Sequence, residues 1–313
     1  MTITVKKYTN SDKNVWNEFI KNSKNGIFMF DRNFMDYHSD RFNDFSLMFY
    51  NDDKLAAVMP LSVHGDEVRS HGGLTYGGII CDNSMKQHRM LEIFECLKSF
   101  LKNNGIKKLL YKTLPSIYHK QPSEEDLYAL FANGAKLVRR DISTTINLKD
   151  PIKPEKGRKA QISRAKREGV TVEESTDFET FIELENKILS EYHNTTAVHS
   201  AEELRLLKSA FENRIKLYVG KLNNKIIAGT VIFIYDNVVH TQYMAADETA
   251  RTLGGLDLVI RTLTEKYKEE KTYFDFGIST ENNGTFLNRG LIAQKESFGG
   301  RGIVYDFYEL EIL

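Results

Sequence analysis

The chain has 313 residues, of which 41% are hydrophobic and 27% are charged, and its formal net charge is zero. This length exceeds what one hydrophobic core usually supports, and the composition is that of a folded globular protein, so we expect two compact domains and no long disordered region. Zero net charge excludes a global attraction to nucleic acid or to an anionic membrane, so any basic patch must be local.

The cysteine content and the N-terminal sequence predict the cellular compartment of the protein. Cys81 and Cys96 are too few and too isolated for a disulfide framework or a zinc site, and their apolar surroundings are typical of small buried residues. The N-terminus has no apolar signal core, and no run of about 18 apolar residues occurs in the chain. We therefore expect a cytoplasmic protein without membrane insertion.

Residues 1–150 are predicted to form an α/β domain. A helix from about Lys86 to Asn103 has apolar residues at a three-to-four spacing, and Gly105 beyond it is a natural stop. A helical stretch is predicted at 11–38. The predicted strands of this half are Ile3–Tyr8, Phe45–Tyr50, Lys54–Val63, Val68–Ile80 and Ile106–Tyr111.

A connector follows this half. Pro151, Pro154 and Gly157 fall within a few positions of each other, and these residues interrupt regular structure. We therefore place the domain boundary near Asp150, with the domains at residues 1–150 and 151–313.

The second half repeats the order of the first. Ser200 with Glu203 forms a capping box, and Asn223-Asn224 reads as a hairpin turn. The predicted strands and helices are Val170–Glu174, 178–192 (helix), a helix from Ser200, Arg214–Lys221, Lys225–Tyr235, Val238–Ala246, 255–268 (helix) and Thr272–Gly277. The shared order favours duplication of one unit, although unrelated α/β proteins also share such strings.

The segment after Val238–Ala246 has the pattern of an anion-binding site. A strand is followed by a turn with the pair Gly254-Gly255, and then by a helix. Glycines let the backbone approach a phosphate, helix N–H groups point towards it, and Arg251 adds a positive charge. We predict that these residues bind a pyrophosphate. The alternative is that the glycine pair only breaks the chain before a helix.

At this point the sequence resembles a known family. Residues 251–256, Arg-Thr-Leu-Gly-Gly-Leu, are similar to the pyrophosphate loop Arg/Gln-x-x-Gly-x-Gly/Ala of GNAT acyltransferases. Segments similar to FemAB-like proteins occur at 71–78, 158–169, 274–277, 287–291 and 295–302. The chain as a whole resembles the FemAB-like tandem GNAT acyltransferases, and within them the BioF2-like acetyltransferase group.

The resemblance implies an α/β (α+β) fold of two tandem GNAT-like domains with mixed central sheets. Residues 1–150 would serve the acceptor, and 151–313 would carry a basic helix and the donor site. The implied donor substrate is acetyl-CoA or another acyl-CoA, and the acceptor is a small-molecule or carrier-linked amine, such as an amino sugar in cell-envelope polysaccharide synthesis. Backbone groups of Met244, Ala245 and Ala246, on a splayed strand, would polarise the acyl carbonyl.

Two alternatives stay open. Some relatives with the double fold take aminoacyl-tRNA as donor and build cell-wall precursors, in which case the basic helix at 158–169 would bind RNA. The short connection between Phe178 and Ser200 leaves no room for the helical-hairpin insert of those enzymes, which favours the acyl-CoA group. The other alternative is a non-catalytic binding protein on the same fold.

Three side chains are the predicted catalytic residues. His240 can accept the amine proton near neutral pH, with Glu281 as an alternative base. Lys295 matches the lysine of the FemAB Phe-Lys-x-x-Phe motif, which implies that it stabilises charge in the transition state. An ordinary strand histidine and a surface lysine are the alternatives. Alternation along the strand predicts two faces, with His240, Gln242 and Met244 on one and Thr241, Tyr243 and Ala245 on the other.

Further polar residues are predicted to bind substrate. Arg301 lies among three glycines, a setting that suits close approach of a phosphate or carboxylate. Asp275 could instead be a base, and the carboxylates here could equally form turns or caps. No HExxH, CxxC or EF-hand spacing is present, so no metal is predicted. The predicted substrate-binding residues are Arg158, Arg164, Tyr243, Asp275, Asn282 and Arg301.

Overall fold

The computed structural model describes residues 3–193 and 195–313, which form two compact units. The first unit comprises the chain up to Asp141 together with residues 282–286 and 304–313, and the second comprises residues 142–281 and 287–303. The sequence analysis predicted a boundary near Asp150. The units instead part within a strand, and the C-terminal segment contributes to both.

The elements up to residue 147 follow the predicted order with two additions. Helix α4 and the long strand β8 were not predicted. The helices and strands are β1 (Ile3–Lys7), α1 (Lys13–Asn22), α2 (Arg32–Met35), β2 (Leu47–Asn51), β3 (Lys54–Met59), β4 (Ser62–His64), β5 (Glu67–Arg69), β6 (Ile80–Cys81), α3 (Gln87–Asn103), β7 (Lys108–Lys112), α4 (Glu125–Ala132) and β8 (Lys136–Asn147).

The remaining elements begin with the basic helix. They are α5 (Lys156–Arg167), β9 (Thr171–Ser175), α6 (Phe178–His193), α7 (Ala201–Ala210), β10 (Ile215–Leu222), β11 (Lys225–Ile234), β12 (Val238–Ala246), α8 (Glu248–Leu253), α9 (Gly255–Tyr267), β13 (Tyr273–Ile278), β14 (Thr280–Glu281), β15 (Phe286–Leu287), α10 (Arg289–Glu296) and β16 (Arg301–Glu311).

In the first unit, strands are ordered β1-β2-β3-β6 and β4-β5-β7-β16. Helix α3 buries Phe94, Leu97 and Leu101 in the core of this unit, as its apolar spacing predicted. Burial of such a face, at roughly 25 cal/mol per Å² of apolar surface, is what keeps the helix on the sheet.

The long strand predicted from Val68 to Ile80 is not continuous. Strands β5 and β6 occupy its ends, and the glycine-rich segment between them is a loop. His71 and Gly78 have φ angles of 61° and 98°, which a strand cannot accommodate. Similarly, the predicted strand Lys54–Val63 is divided at Pro60, whose nitrogen has no hydrogen to donate to a neighbouring strand.

In the second unit, the strands are ordered β8-β13-β12-β11-β10-β9, and β12 and β13 are parallel neighbours. Helix α9 packs on one face, where its Val259 and Leu263 are fully buried. Helix α6 covers the other face with Phe178 and Phe181, which are also fully buried. The sheet is therefore covered on both sides, as expected for an α/β unit.

Two local predictions in the second unit are confirmed. The hydroxyl of Ser200 accepts from the backbone N–H of Glu203, whose carboxylate accepts from the backbone of Ser200, and α7 begins there. Asn223 and Asn224 have φ angles of 49° and 64°, so they form a tight left-handed turn between β10 and β11. Among the described residues, no helix combines the length and apolar character that a bilayer crossing needs.

Candidate functional site

Strands β12 and β13 separate part-way along their length. Their parallel pairing covers only Val238–His240 with Tyr273–Asp275. Beyond this point β12 continues to Ala246 while still paired with β11 on its other side. His240 and Asp275 are therefore the last paired residues before an opening in the sheet.

A β-bulge in β12 determines which way His240 faces. The register between β11 and β12 shifts so that Gln242 is an extra residue. His240 lies opposite Phe233, and Tyr243 lies opposite Val231. Since Phe233 and Val231 are two apart on β11, His240 and Tyr243 share a face. The predicted grouping of His240 with Met244 is wrong, because strict alternation does not continue through a bulge.

His240 and Asp275 form a buried pair. Nδ1 of His240 lies 2.9 Å from Oδ2 of Asp275, and a carboxylate can only accept, so Nδ1 carries the hydrogen. The hydroxyls of Ser143 and Thr145 on β8 donate to the other carboxylate oxygen, at 2.5 and 2.7 Å. Asp275 is completely buried and His240 is 7% exposed. The carboxylate is thereby fixed on one side by β8 and orients the imidazole on the other.

Lys295 lies next to this pair. Its Nζ donates to the carbonyls of Gly277 and Ile278, at 2.9 and 2.7 Å. Gly277 in turn has a φ of 74°, and a Cβ there would lie 3.3 Å from Cε1 of His240. Burial lowers the pKa of Lys295 to about 8, against the opposing effect of the Asp275 charge. The ammonium group of Lys295 is therefore bonded to the carbonyl of Gly277, and Gly277 lies beside the imidazole of His240.

Comparison with known proteins identifies the fold that carries these residues. Residues 156–283 match the model of the acetyltransferase (GNAT) domain family. The crystal structure of FemX aligns with a TM-score of 0.67 at 13% identity, covering 96% of each chain. The chain has a FemAB-like GNAT fold. The mixed α/β fold class predicted from the sequence is thus confirmed.

Two other solved structures share the fold. A conserved protein of unknown function from Bacteroides thetaiotaomicron aligns with a TM-score of 0.64 at 13% identity, covering 99% of both chains. L-PGS from Bacillus licheniformis aligns with a TM-score of 0.57 at 16% identity, covering 85% of this chain and 83% of that one. No curated protein sequence matches the chain.

The GNAT-like pyrophosphate segment is not an open loop. Asp247 caps α8, which contains Arg251, and α9 begins directly after Gly254. Gly254 has a φ of 82°, as a helix-terminating glycine does, and Gly255 is buried beside it. The predicted turn is thus a junction between two helices, with Arg251 exposed on the first of them.

Helix α5 packs against this junction. The backbone carbonyl of Gln161 lies where a Cβ of residue 254 would be. Arg164 donates to the carbonyl of Thr252 at 3.0 Å. The N-terminus of α9 is therefore packed against α5, and the role of Gly254 and Gly255 in binding a pyrophosphate stays a prediction.

The side chain of Arg158 contacts three residues of neighbouring elements. Its guanidinium pairs with Asp257 at 3.0 Å, donates to the hydroxyl of Ser297 at 2.8 Å, and lies 4.3 Å from the ring centre of Phe298. These contacts join α5 to α9 and to the end of α10. Arg158 and Arg164 therefore both hold α5 in place. Their role in substrate binding stays a prediction.

We expect Gly254→Ala to lower the free energy of unfolding by about 1–3 kcal/mol, because the added Cβ meets Gln161 and the backbone is left-handed. Gly157→Ala is the matched control. Its site in α5 is open, so we expect a gain of about 0.4–1 kcal/mol. Chemical denaturation of both variants measures the difference. Equal stability of the two would show that α5 does not pack on the junction.

Other predicted residues lie at turns or within strands. Glu281 is exposed and accepts from the side-chain amide of Asn288 at 2.8 Å, and Asn282 adopts a left-handed turn conformation with a φ of 50°. Arg301 is exposed and donates to the carbonyl of Gly300. Met244 packs on the core below α9, and Ala245 and Ala246 are buried in β12.

The structure adds residues that the sequence analysis missed. Ser143 and Thr145 hold Asp275 from β8, a strand that was not predicted. Glu185 lies buried on the face of α6 that carries Phe181 and Ile182. An acidic residue at helical spacing within that apolar stripe was the available signal. Within residues 3–193 and 195–313, no group of three or more histidine, cysteine or acidic side chains could hold a metal ion.

Proposed function

We propose that the second unit transfers an acyl group from an activated donor to a primary amine, forming an amide. The observation that supports this most strongly is the His240–Asp275 pair, with Lys295 beside it, at the point where β12 and β13 separate. An opening in the sheet of a GNAT fold gives an acyl group access to backbone N–H groups, and the pair supplies a base there.

The chemistry follows from these groups. Asp275 holds Nδ1–H of His240, so Nε2 is the nitrogen that takes the proton from the attacking amine. The amine nitrogen forms a bond to the acyl carbon, and the bond to the leaving sulfur or oxygen breaks. Lys295 and backbone N–H groups near Met244 to Ala246 stabilise the oxyanion, and the proton passes to the leaving group. Glu281 is exposed and bonded to Asn288, which makes it the less suitable base.

The proposal also covers the acceptor substrate and the cellular compartment of the reaction. The resemblance to BioF2-like acetyltransferases supports an amino sugar, free or carrier-linked, in the building of cell-envelope polysaccharide. We place the reaction in the cytoplasm, in agreement with the two free cysteines, Cys81 and Cys96.

Acyl-CoA is the donor that the GNAT domain supports, and Arg251 is its proposed contact. Because α5 covers Gly254, this donor requires α5 to move or its pyrophosphate to be held by other groups. Isothermal titration with acetyl-CoA tests the assignment. We expect Arg251→Ala to weaken binding about tenfold or more, and the control Arg261→Ala, on the exposed side of α9, to bind as the wild type does. Unchanged affinity of Arg251→Ala would remove the contact.

Aminoacyl-tRNA is a second candidate donor, favoured by the covered N-terminus of α9. An aminoacyl ester needs no pyrophosphate site there, and α5 exposes Lys156, Lys159, Lys166 and Arg167. Phosphate contacts made by these side chains would release counterions, so tRNA affinity should fall steeply as salt rises. Affinity that is insensitive to salt, or unchanged when Lys166 and Arg167 are both replaced by alanine, would contradict this donor.

A further inference from the structure

Glu185 is a buried carboxyl group on the second unit. It lies on α6 one turn beyond Phe181 and Ile182, and it is 6% exposed. Among the residues that the structure describes, none hydrogen-bonds to its Oε2. An unpaired carboxylate is costly to bury, because it gives up its hydration without gaining a donor. Such a group is stabilised by a ligand that brings a positive charge and N–H groups.

Glu185 lies on the same side of the sheet as His240. Phe181 packs against Gly229 of β11, which lies opposite Ala245 of β12. Residues 229, 231 and 233 of β11 alternate to this side, and their partners on β12 are Ala245, Tyr243 and His240. Helix α6 therefore covers the face of β12 that carries the proposed base.

Tyr243 lies close enough to Glu185 to be affected by its charge. Burial raises the pKa of Tyr243 to about 12, and the nearby charge of Glu185 acts in the same direction. The hydroxyl of Tyr243 accepts from the backbone N–H of His199 at 3.1 Å and lies 2.6 Å from Nδ1 of that residue. Tyr243 is thus a titratable group near Glu185 on β12, and it contacts His199 on the segment before α7.

The segment from 195 to 199 covers this region. The backbone N–H of Ala197 donates to the side chain of Asn186 on α6 at 2.8 Å, and His199 is held by Tyr243. Val198 between them is 76% exposed. Because Val198 is exposed, we expect a small ligand to reach Glu185 by displacing this segment.

We infer that Glu185 binds the ammonium group of the amine acceptor. The inference rests on the proposed function for its role, since the acceptor of an amide-forming transfer enters as an ammonium ion near neutral pH. Burial raises the pKa of Glu185 to about 7, and an ammonium ion bound to the carboxylate would lower it again. The ammonium ion loses one proton to solvent before it attacks, and His240, on the same face, takes the second proton as the amide bond forms and passes it to the leaving group.

The test is a titration of the Glu185 carboxyl ¹³C resonance in the full-length wild-type protein. The probe is methylammonium chloride, the simplest primary ammonium, and tetramethylammonium chloride at equal concentration is the control without N–H donors. We expect methylammonium to lower the titration midpoint by about one pH unit or more, a tenfold preference for the charged carboxylate, and tetramethylammonium to leave it unchanged. Identical midpoints in the two salts would overturn the inference.

Two variants make the result specific. Glu185→Gln assigns the resonance by its loss, and Glu185→Asp serves the same purpose if the glutamine variant does not fold. His240→Asn separates this inference from the proposed function, because it should abolish acyl transfer and retain the methylammonium shift. A shift without any acyl transfer in the wild type would refute the proposed function alone, and transfer without a shift would refute the role of Glu185 alone.

Discussion

Asp275→Asn should lower the rate of amide formation by about 10²- to 10⁴-fold. The carboxylate of Asp275 accepts from Nδ1–H of His240, which makes Nε2 the nitrogen that takes a proton. An asparagine amide can instead donate to Nδ1, which places the hydrogen on Nε2 and removes the base. Rates measured at saturating acyl donor and amine, with circular dichroism to confirm folding, give the loss directly.

Ser143→Ala is the matched control for this variant. Ser143 and Thr145 donate to the same oxygen of Asp275, so loss of one leaves the carboxylate charged and still bonded to Thr145. We expect a much smaller loss of rate than for Asp275→Asn. A folded Asp275→Asn variant with the wild-type rate would show that His240 is not the base.

Lys295→Met should lower the rate about 10²- to 10³-fold, the usual effect of removing one donor to a developing oxyanion. The methionine preserves most of the buried side-chain volume and removes the charge. Lys295→Arg, which retains a cation, should preserve part of the rate. A Lys295→Met variant that folds and retains the full rate would assign Lys295 to holding the carbonyls of Gly277 and Ile278 alone.

The pH dependence of the wild type provides a second readout for Lys295. Burial lowers its pKa to about 8, so the ammonium form is present below pH 8 and is lost as the pH rises through that value. The rate should therefore fall above pH 8. In Lys295→Arg this falling limb should disappear, because arginine stays charged. A falling limb that persists in the arginine variant would belong to another group.

The sequence predicted the elements that carry the site but not their local geometry. Strand β12 has the predicted bounds, Val238–Ala246, and α9 begins at the predicted Gly255. Periodicity and glycine placement determine such features locally. The bulge at Gln242 depends on how β11 pairs with β12, which a single strand does not encode, and it turned His240 towards α6 rather than α9.

The glycine pair at 254–255 shows a second feature that the local sequence could not predict. Gly254-Gly255 has the sequence pattern of a phosphate loop, and the glycines do permit a close backbone approach. The approaching group is the Gln161 carbonyl of α5, however, about ninety residues earlier in the chain. A local pattern shows that close approach is required, and only the tertiary structure shows what approaches.

The most direct measurement is mass spectrometry of amide formation by the wild type and by Asp275→Asn. Acetyl-CoA and aminoacyl-tRNA serve as alternative donors and glucosamine as the amine, at equal enzyme concentration and pH 7.5. We expect an amide product from the wild type with at least one donor, and loss of that product in Asp275→Asn. Equal product from both proteins, or none with either donor, would contradict acyl transfer at the His240–Asp275 pair.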